Sequence, residues 1–548
     1  MTITETRPDE VAAAAAPSSP AAPSAPTKVA GWLVSADHTR VGRLYVGVSL
    51  VAAVAVLVVG TLVMAERIDT GGTFLPSDSI AQMTSFTWVG LAFLVVVPLL
   101  LGIAIAVVPL QLGAAGIAYP RAAALSFWGW ALSGGVMVGA YLANGGPGGG
   151  EAQAVDLFLI SLILVLASLA IGAACVAGSV ITQRPAGMGL LETPPFSFAS
   201  LVSAGALLLT LPVLAGTLVL LYVDHQYGRI VFGGNQGIAG EIGWAYLQPQ
   251  TYVYGIPILG LLAELCPVTS GRRQPKRAMV IGAIGLAGAA AVGGAMQGMP
   301  TVDLDGVTPI QGIAELVVYG VTALLPVLPF LMVLGLGGLA VKGGRPRLAN
   351  GPGAAFAFAV AAALMGLVGA LVGVLTPIVD LGLIGTVYQE AQSYYLFFAG
   401  LLAGMGAVAY WGPKLWGRRL PEKAAGGLAA LGLVGTVLAA FPYVIAGFLN
   451  QPLGAAGWED LDGPIQLCNV AVTIGFGLLA LTVTAFALLA LRSFSKGDAA
   501  GDDPWDGQTL EWATPSPPNG AVPDLGLVRS AEPLLDAKGS RQPAGSDA

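Results

Sequence analysis

The chain has 548 residues, of which 55% are hydrophobic and only 10% charged, and its formal net charge is −7. A soluble domain carries about 25% charged residues, so this composition excludes an ordinary water-soluble enzyme, and the acidic balance gives no footing for nucleic-acid binding. Three cysteines, Cys175, Cys266 and Cys468, show no CxxC spacing; this argues against a disulfide framework or zinc module and reads as small core residues.

In chain order, residues 1–35 are rich in Ala, Pro and Ser and lack the basic start and unbroken apolar core of a signal peptide. They read as a disordered arm. Residues 36–497 form the membrane domain. A hydrocarbon core needs about 20 apolar residues per helix, and twelve stretches qualify, near 42–65, 85–112, 124–145, 155–182, 197–223, 243–266, 278–298, 309–340, 354–376, 386–411, 425–449 and 466–491. The fold class is therefore all-α, a twelve-transmembrane-helix bundle. Residues 498–548 mix Gly, Asp, Ser and Pro without periodicity and read as a mostly disordered tail.

The connecting segments alternate in sign. Arg121, Arg184, Arg272 to Arg277, Lys342 to Arg347, Lys414 to Lys423, and Arg492 with Lys496 fall on one side; Asp69, Asp78, Glu151, Asp224, Glu241, Asp303, Asp305 and Glu459 to Asp462 fall on the other. An excess of Lys and Arg marks cytoplasmic loops, which places both termini in the cytoplasm. The expected location is a bacterial cytoplasmic membrane.

Glycine runs such as Gly282, Gly285 and Gly288, or Gly366, Gly369 and Gly373, predict close helix approach, because small residues let backbones meet where no hydrophobic force separates helix from lipid. A high-GC genome would also inflate glycine, and composition alone does not separate the two. Carboxylates at membrane depth are functional candidates, which singles out Glu315 and Glu390; both lie near the acidic side, where hydration accounts for them. Glu264 and Lys414 sit at basic-side helix ends and read as snorkelling groups.

Five stretches in order carry a resemblance. They are VVPLQLGAAGIAYPRAAALSFW (Val107 to Trp128), LPVLAG (Leu211 to Gly216), Trp244 ahead of QPQTY (Gln248 to Tyr252), GLLAELCP (Gly260 to Pro267), and TLEWATPSPP (Thr509 to Pro518). Together with the helix count they resemble subunit I of the haem-copper oxidases, the cytochrome c oxidase family. The resemblance implies a low-spin haem, a high-spin haem and a copper ion held by histidines, since imidazole suits both metals.

This chain contains two histidines in all, His38 before the first span and His225 after the fifth. On the resemblance, Phe86 stands at the helix II haem-ligand position. The family's HPEVY reads QPQTY here, so Gln248 replaces a copper histidine, Gln250 the proton-delivering glutamate, and Tyr252 is retained, as is Trp244. The copper histidine pair falls near Ala295 and Met296, and Gln392 and Tyr394 occupy the two ligand positions of helix X. Ile384 and Gly385 stand opposite the magnesium-site pair, and Leu453 and Gly454 opposite the propionate-binding arginines. The proton paths are matched by Gly116 and Leu324. These substitutions predict that no haem or copper is held.

Three functions remain. The first is a non-catalytic pseudo-oxidase, a scaffold or accessory subunit beside other integral membrane subunits, possibly subunit II- or III-like, with lipid or quinone filling vacated space. The second is a small-solute transporter or channel lined by Gln248, Gln250, Tyr252, Gln392 and Tyr394. The third is an active oxidase with unconventional ligands.

Overall fold

The computed structural model describes residues 31, 35–68, 74–229, 250–290, 301–303, 309–344, 346–348, 351–454, 463–520, 528 and 530–540. Regular structure among them is helical, with only isolated bridges between extended segments. The membrane helices are α1 (His38–Glu66), α2 (Ser79–Gln111), α3 (Pro120–Leu142), α4 (Ala152–Thr182), α5 (Pro195–Gln226), α6 (Gln250–Ser270), α7 (Arg277–Ala289), α8 (Gln311–Gly343), α9 (Gly353–Leu375), α10 (Val387–Trp416), α11 (Glu422–Phe448) and α12 (Gly463–Lys496). Eleven of the twelve are long and apolar enough to span a bilayer. The exception, α7, is described for 13 residues, and the rest of its expected span lies outside the described residues.

Local signals set the ends. The Asp37 carboxylate accepts from the Thr39 N–H to start α1, and the Thr386 hydroxyl accepts from the Tyr388 N–H to start α10, each satisfying one of the orphan donors of a first turn. Gly417, at φ 79°, closes α10 in the left-handed conformation that glycine adopts without a Cβ penalty.

The apolar windows of α2, α6 and α10 are buried throughout, whereas those of the other spans keep an exposed face. These three helices form the core of the bundle and the others wrap them, leaving residues such as Val51, Leu132 and Leu488 for lipid. Some glycines account for how closely the shells approach. A Cβ at Gly102 would lie 2.3 Å from Tyr45 Cβ, and one at Gly475 2.3 Å from the Ala439 backbone nitrogen, so α1 meets α2, and α11 meets α12, at backbone distance. The runs singled out in the sequence divide. Gly366, Gly369 and Gly373 face Phe330, Tyr395 and Gln392, and Gly288 faces Val202, but Gly282 and Gly285 meet nothing within 4 Å. Packing explains the first set and not the second.

The expectation of a mostly disordered tail is corrected for its described residues. Trp505, Leu510, Glu511 and Trp512 are buried against the ends of α2, α6 and α10. Trp505 Nε1 donates to the Tyr410 carbonyl (2.9 Å) and the Gln508 amide to the Pro267 carbonyl (3.1 Å). A further helix, α13 (Pro533–Ser540), is tied back by Lys538 to Asp503 (2.9 Å) and Asp506 (2.5 Å). The tail lacks apolar periodicity because it supplies isolated anchors to a surface made elsewhere, and those leave no repeat in the sequence.

Candidate functional site

Two buried polar clusters close the ends of the bundle. At the acidic end, the first turn of α10 presents Glu390 to Arg67, the residue that caps α1. Arg67 Nη1 donates to Glu390 Oε2 at 2.7 Å, with both side chains 1% exposed. The Tyr394 hydroxyl, one turn further along α10, donates to the same oxygen (3.1 Å), and the Gly454 N–H donates to Glu390 Oε1 (3.0 Å). Arg67 also donates to the Tyr443 hydroxyl (3.2 Å), and its carbonyl accepts from Asn469 Nδ2 (2.9 Å). Aromatic rings shut the cluster from below: Tyr394 packs against Trp88, Phe398, Phe476 and Tyr443 at centroid distances of 5.0–6.3 Å.

Glu390 is thus not a hydrated surface carboxylate. Hydration from the acidic end is replaced by a buried ion pair because α1 and α10 place opposite charges side by side across 323 residues of sequence. A charge taken out of water must be paired and hydrogen-bonded, and both carboxylate oxygens are satisfied. Glu315, by contrast, stays half-buried on α8.

The residues matched to the family's ligands are partly brought together. Tyr394 is fully buried at the centre of the cluster, and Gln392 accepts from the Thr376 hydroxyl at 3.1 Å. Phe86 of α2 turns toward α3 and packs edge-on against Tyr141 (5.3 Å). Gly116 lies at the opposite end, where a Cβ would meet His38 Nδ1 at 3.8 Å. Leu324 is 48% exposed on α8, away from the core. Trp244, Gln248, Ala295 and Met296 lie outside the described residues; Gln250 and Tyr252 fall on α6, but their side chains lie outside them too. Of the polar set named for a solute channel, Gln392 is engaged with Thr376 and Tyr394 with Glu390. The histidines sit at opposite ends: His38 begins α1, and His225 closes α5 with Nδ1 2.7 Å from Asp156 Oδ1.

At the basic end the tail completes the second cluster. Glu511 Oε1 accepts from Gln111 Nε2 and Trp411 Nε1, each at 3.2 Å, and the Thr509 hydroxyl donates to Glu264 Oε1 (3.1 Å). Lys414 Nζ donates to the carbonyls of Thr514 (2.5 Å) and Asp502 (3.0 Å) and to the Ser516 hydroxyl (3.0 Å). Snorkelling does not describe Glu264 or Lys414: both are buried beneath the docked tail, which replaces water as their partner.

Burial pushes the Glu511 carboxyl above the usual carboxylate range, opposed by the hydrogen bonds from Trp411 and Gln111. A carboxyl whose pKa is raised on docking stabilises the docked tail fully below the ordinary value of about 4.3, and that contribution is lost as pH climbs through the raised value. The protection of residues 509–514 against hydrogen exchange, with the base-catalysed rise of the intrinsic rate divided out, should therefore fall from acidic to alkaline pH in the native chain. The slope should flatten in Glu511→Gln, which keeps an acceptor for Gln111 and Trp411; an unchanged slope would remove Glu511 as its source.

Sequence reasoning missed Arg67, Asn469 and the tail anchors. Arg67 carries a faint signal, a basic residue on the acidic side of the charge alternation. Nothing marks Asn469.

The comparisons with known proteins agree with this architecture. A family model described as cytochrome C and quinol oxidase polypeptide I matches residues 40–490. Cytochrome c oxidase subunit 1 of Thermostichus vulcanus is 28% identical over 509 residues, covering 88% of each chain, and that of Bacillus subtilis is 26% identical, covering 92% of this chain and 82% of the relative. A haem-copper oxidase subunit I+III of Aeropyrum pernix is 26% identical, covering 89% of this chain and 60% of the relative. Among solved structures, a haem-copper terminal oxidase dimer superposes with a TM-score of 0.64 over 91% of this chain and 89% of its own, at 12% identity. With the match running through all twelve membrane helices, the chain belongs to the cytochrome c and quinol oxidase polypeptide I family.

Proposed function

We propose that this chain is a haem- and copper-free member of the family, a pseudo-oxidase that keeps the subunit I fold as a scaffold or accessory subunit of a respiratory-type membrane complex. The supporting observation is the closed Arg67–Glu390–Tyr394–Gly454 network. The resemblance implies two axial imidazoles for the low-spin haem and one for the high-spin haem. Phe86 offers carbon only. Tyr394 has an oxygen, but it donates to Glu390, and the aromatic packing around it occupies the ring's neighbourhood. At the matched propionate anchor, the Gly454 backbone N–H already holds a carboxylate of the protein itself. The residues present do not fit the family's haem, and no redox step is derived through one.

The basic end faces the cytoplasm on the positive-inside rule, and the membrane is the bacterial inner membrane. The partners are other integral subunits, II- or III-like; the Aeropyrum relative, whose name joins I with III, favours a III-like neighbour.

The test is an absorption spectrum of the purified, dithionite-reduced chain with elemental analysis for iron and copper. No haem band and no stoichiometric metal are expected. A haem band with near-stoichiometric iron would overturn the proposal, and loss of that band in Tyr394→Phe would identify an unconventional ligand. Native mass spectrometry after gentle extraction should show membrane partners; a lone monomer would count against the scaffold role.

A further inference from the structure

A groove of about 520 Å³ runs between α1, α2, α10 and α12 in the half of the bundle nearest its basic end, with walls that include Val46, Leu50, Ile103, Val408 and Leu491. It opens to lipid, since Val51 and Leu491 at its rim are 70% and 65% exposed. Along α1 it extends from Arg43 to Val51, about 12 Å at 1.5 Å per residue. An engineered apolar cavity of about 150 Å³ holds the six carbons of benzene, so this volume scales to roughly twenty carbons. Those are the depth and capacity of a single acyl chain lying from the interface toward the midplane.

The mouth differs from the walls. Arg43 and Trp416 line it beside Phe494. Arg43 donates to the Thr39 carbonyl at 3.0 Å, and the Trp416 indole N–H is buried with no acceptor among the described residues. The Arg43 guanidinium brings donors and no acceptor to the mouth. Arg492 and Lys496 lie exposed at the same end of α12, adding positive charge where an anionic lipid surface is attractive. Apolar walls with a cationic mouth complement an amphiphile whose head is an anion bearing acceptor oxygens.

We propose that this groove binds one acyl chain of an anionic phospholipid, whose phosphate is held by Arg43. A zwitterionic lipid would bring a second cation to the arginine. A quinone would offer acceptors without charge, leaving the basic rim unanswered. Such a lipid would seal the seam between α1 and α12, the first and last spans, and so tie bundle closure to the composition of the leaflet at the basic end.

The full chain, in nanodiscs of equal palmitoyl-oleoyl phosphatidylglycerol and phosphatidylcholine, is released for native mass spectrometry and its retained lipid identified. About one phosphatidylglycerol per chain is expected. A Cβ at Gly47 meets nothing within 4 Å and Gly47 lines the groove, so Gly47→Phe fills it and should lower retention roughly tenfold at unchanged melting temperature. Val51→Trp, built from an exposed rim position, does the same should the first variant fold poorly. Arg43→Gln should keep a lipid but lose the preference for phosphatidylglycerol. Retention unchanged in both filled variants, no retained lipid, equal retention of the two lipids by the native chain, or a neutral isoprenoid quinone in their place would each overturn the proposal.

Discussion

Glu390→Ala should destabilise the protein by about 3–5 kcal/mol, the cost of removing one partner of a buried ion pair. The loss is large because the substitution strands three donors at once: the Arg67 guanidinium, the Tyr394 hydroxyl and the Gly454 N–H all converge on this carboxylate. Arg67 sits 1% exposed with its Nε and Nη2 already lacking partners among the described residues, so it has no ready route to water. Arg67→Met should cost a comparable amount by leaving Glu390 charged and buried. The double variant Arg67→Met, Glu390→Met should recover much of the loss, because replacing a buried pair by apolar side chains of similar volume is often neutral. Unfolding in detergent, followed across the four chains as a double-mutant cycle, measures the coupling. Additive single effects, or a Glu390→Ala loss below about 1 kcal/mol, would mean that the pair is solvated and that the acidic-end cluster does not hold the bundle closed.

Trp512→Ala should undock the tail, costing about 3–5 kcal/mol of the docked state, the usual range for truncating a buried Trp. The ring packs edge-on against Tyr410 at 5.3 Å and carries the Lys414 ammonium over its face at 5.5 Å. Its removal opens a cavity and exposes Lys414, Glu264 and Glu511 to water together. Proteolysis of residues 500–519 should accelerate in this variant while the membrane bundle melts close to its native temperature, since α1 to α12 carry their own contacts. Lys414→Met is a partner experiment: it deprives the Thr514 and Asp502 carbonyls of their donor and should also loosen the tail, by a smaller amount of about 1–3 kcal/mol. Unchanged protection of residues 500–519 in Trp512→Ala would show that the ion pairs of α13, not the tryptophan, hold the tail.

Blocks of about 20 apolar residues admit one solution in a bilayer, because every backbone N–H and C=O must be satisfied within its own segment. Composition and hydropathy alone therefore determined an all-helical, twelve-span chain, and the ordered stretches from VVPLQLG to TLEWATPSPP pointed to the family that the comparisons then established. The scarcity of histidine was equally plain, being a property of composition.

Only the tertiary structure decided where the charges go. Glu390 and Lys414 looked like hydrated and snorkelling groups because each was judged against its sequence neighbours, whereas their partners, Arg67 and the Asp502 to Ser516 segment, lie 323 and about 100 residues away. The tail was unreadable for the same reason: Trp505, Glu511 and Trp512 fit a surface assembled from the ends of α2, α6 and α10, and no local pattern encodes a surface made by three other helices. Hydropathy is a sum over adjacent residues and survives in the one-dimensional string. The pairing of buried charges depends on which helices become neighbours, and that is fixed only when the bundle closes.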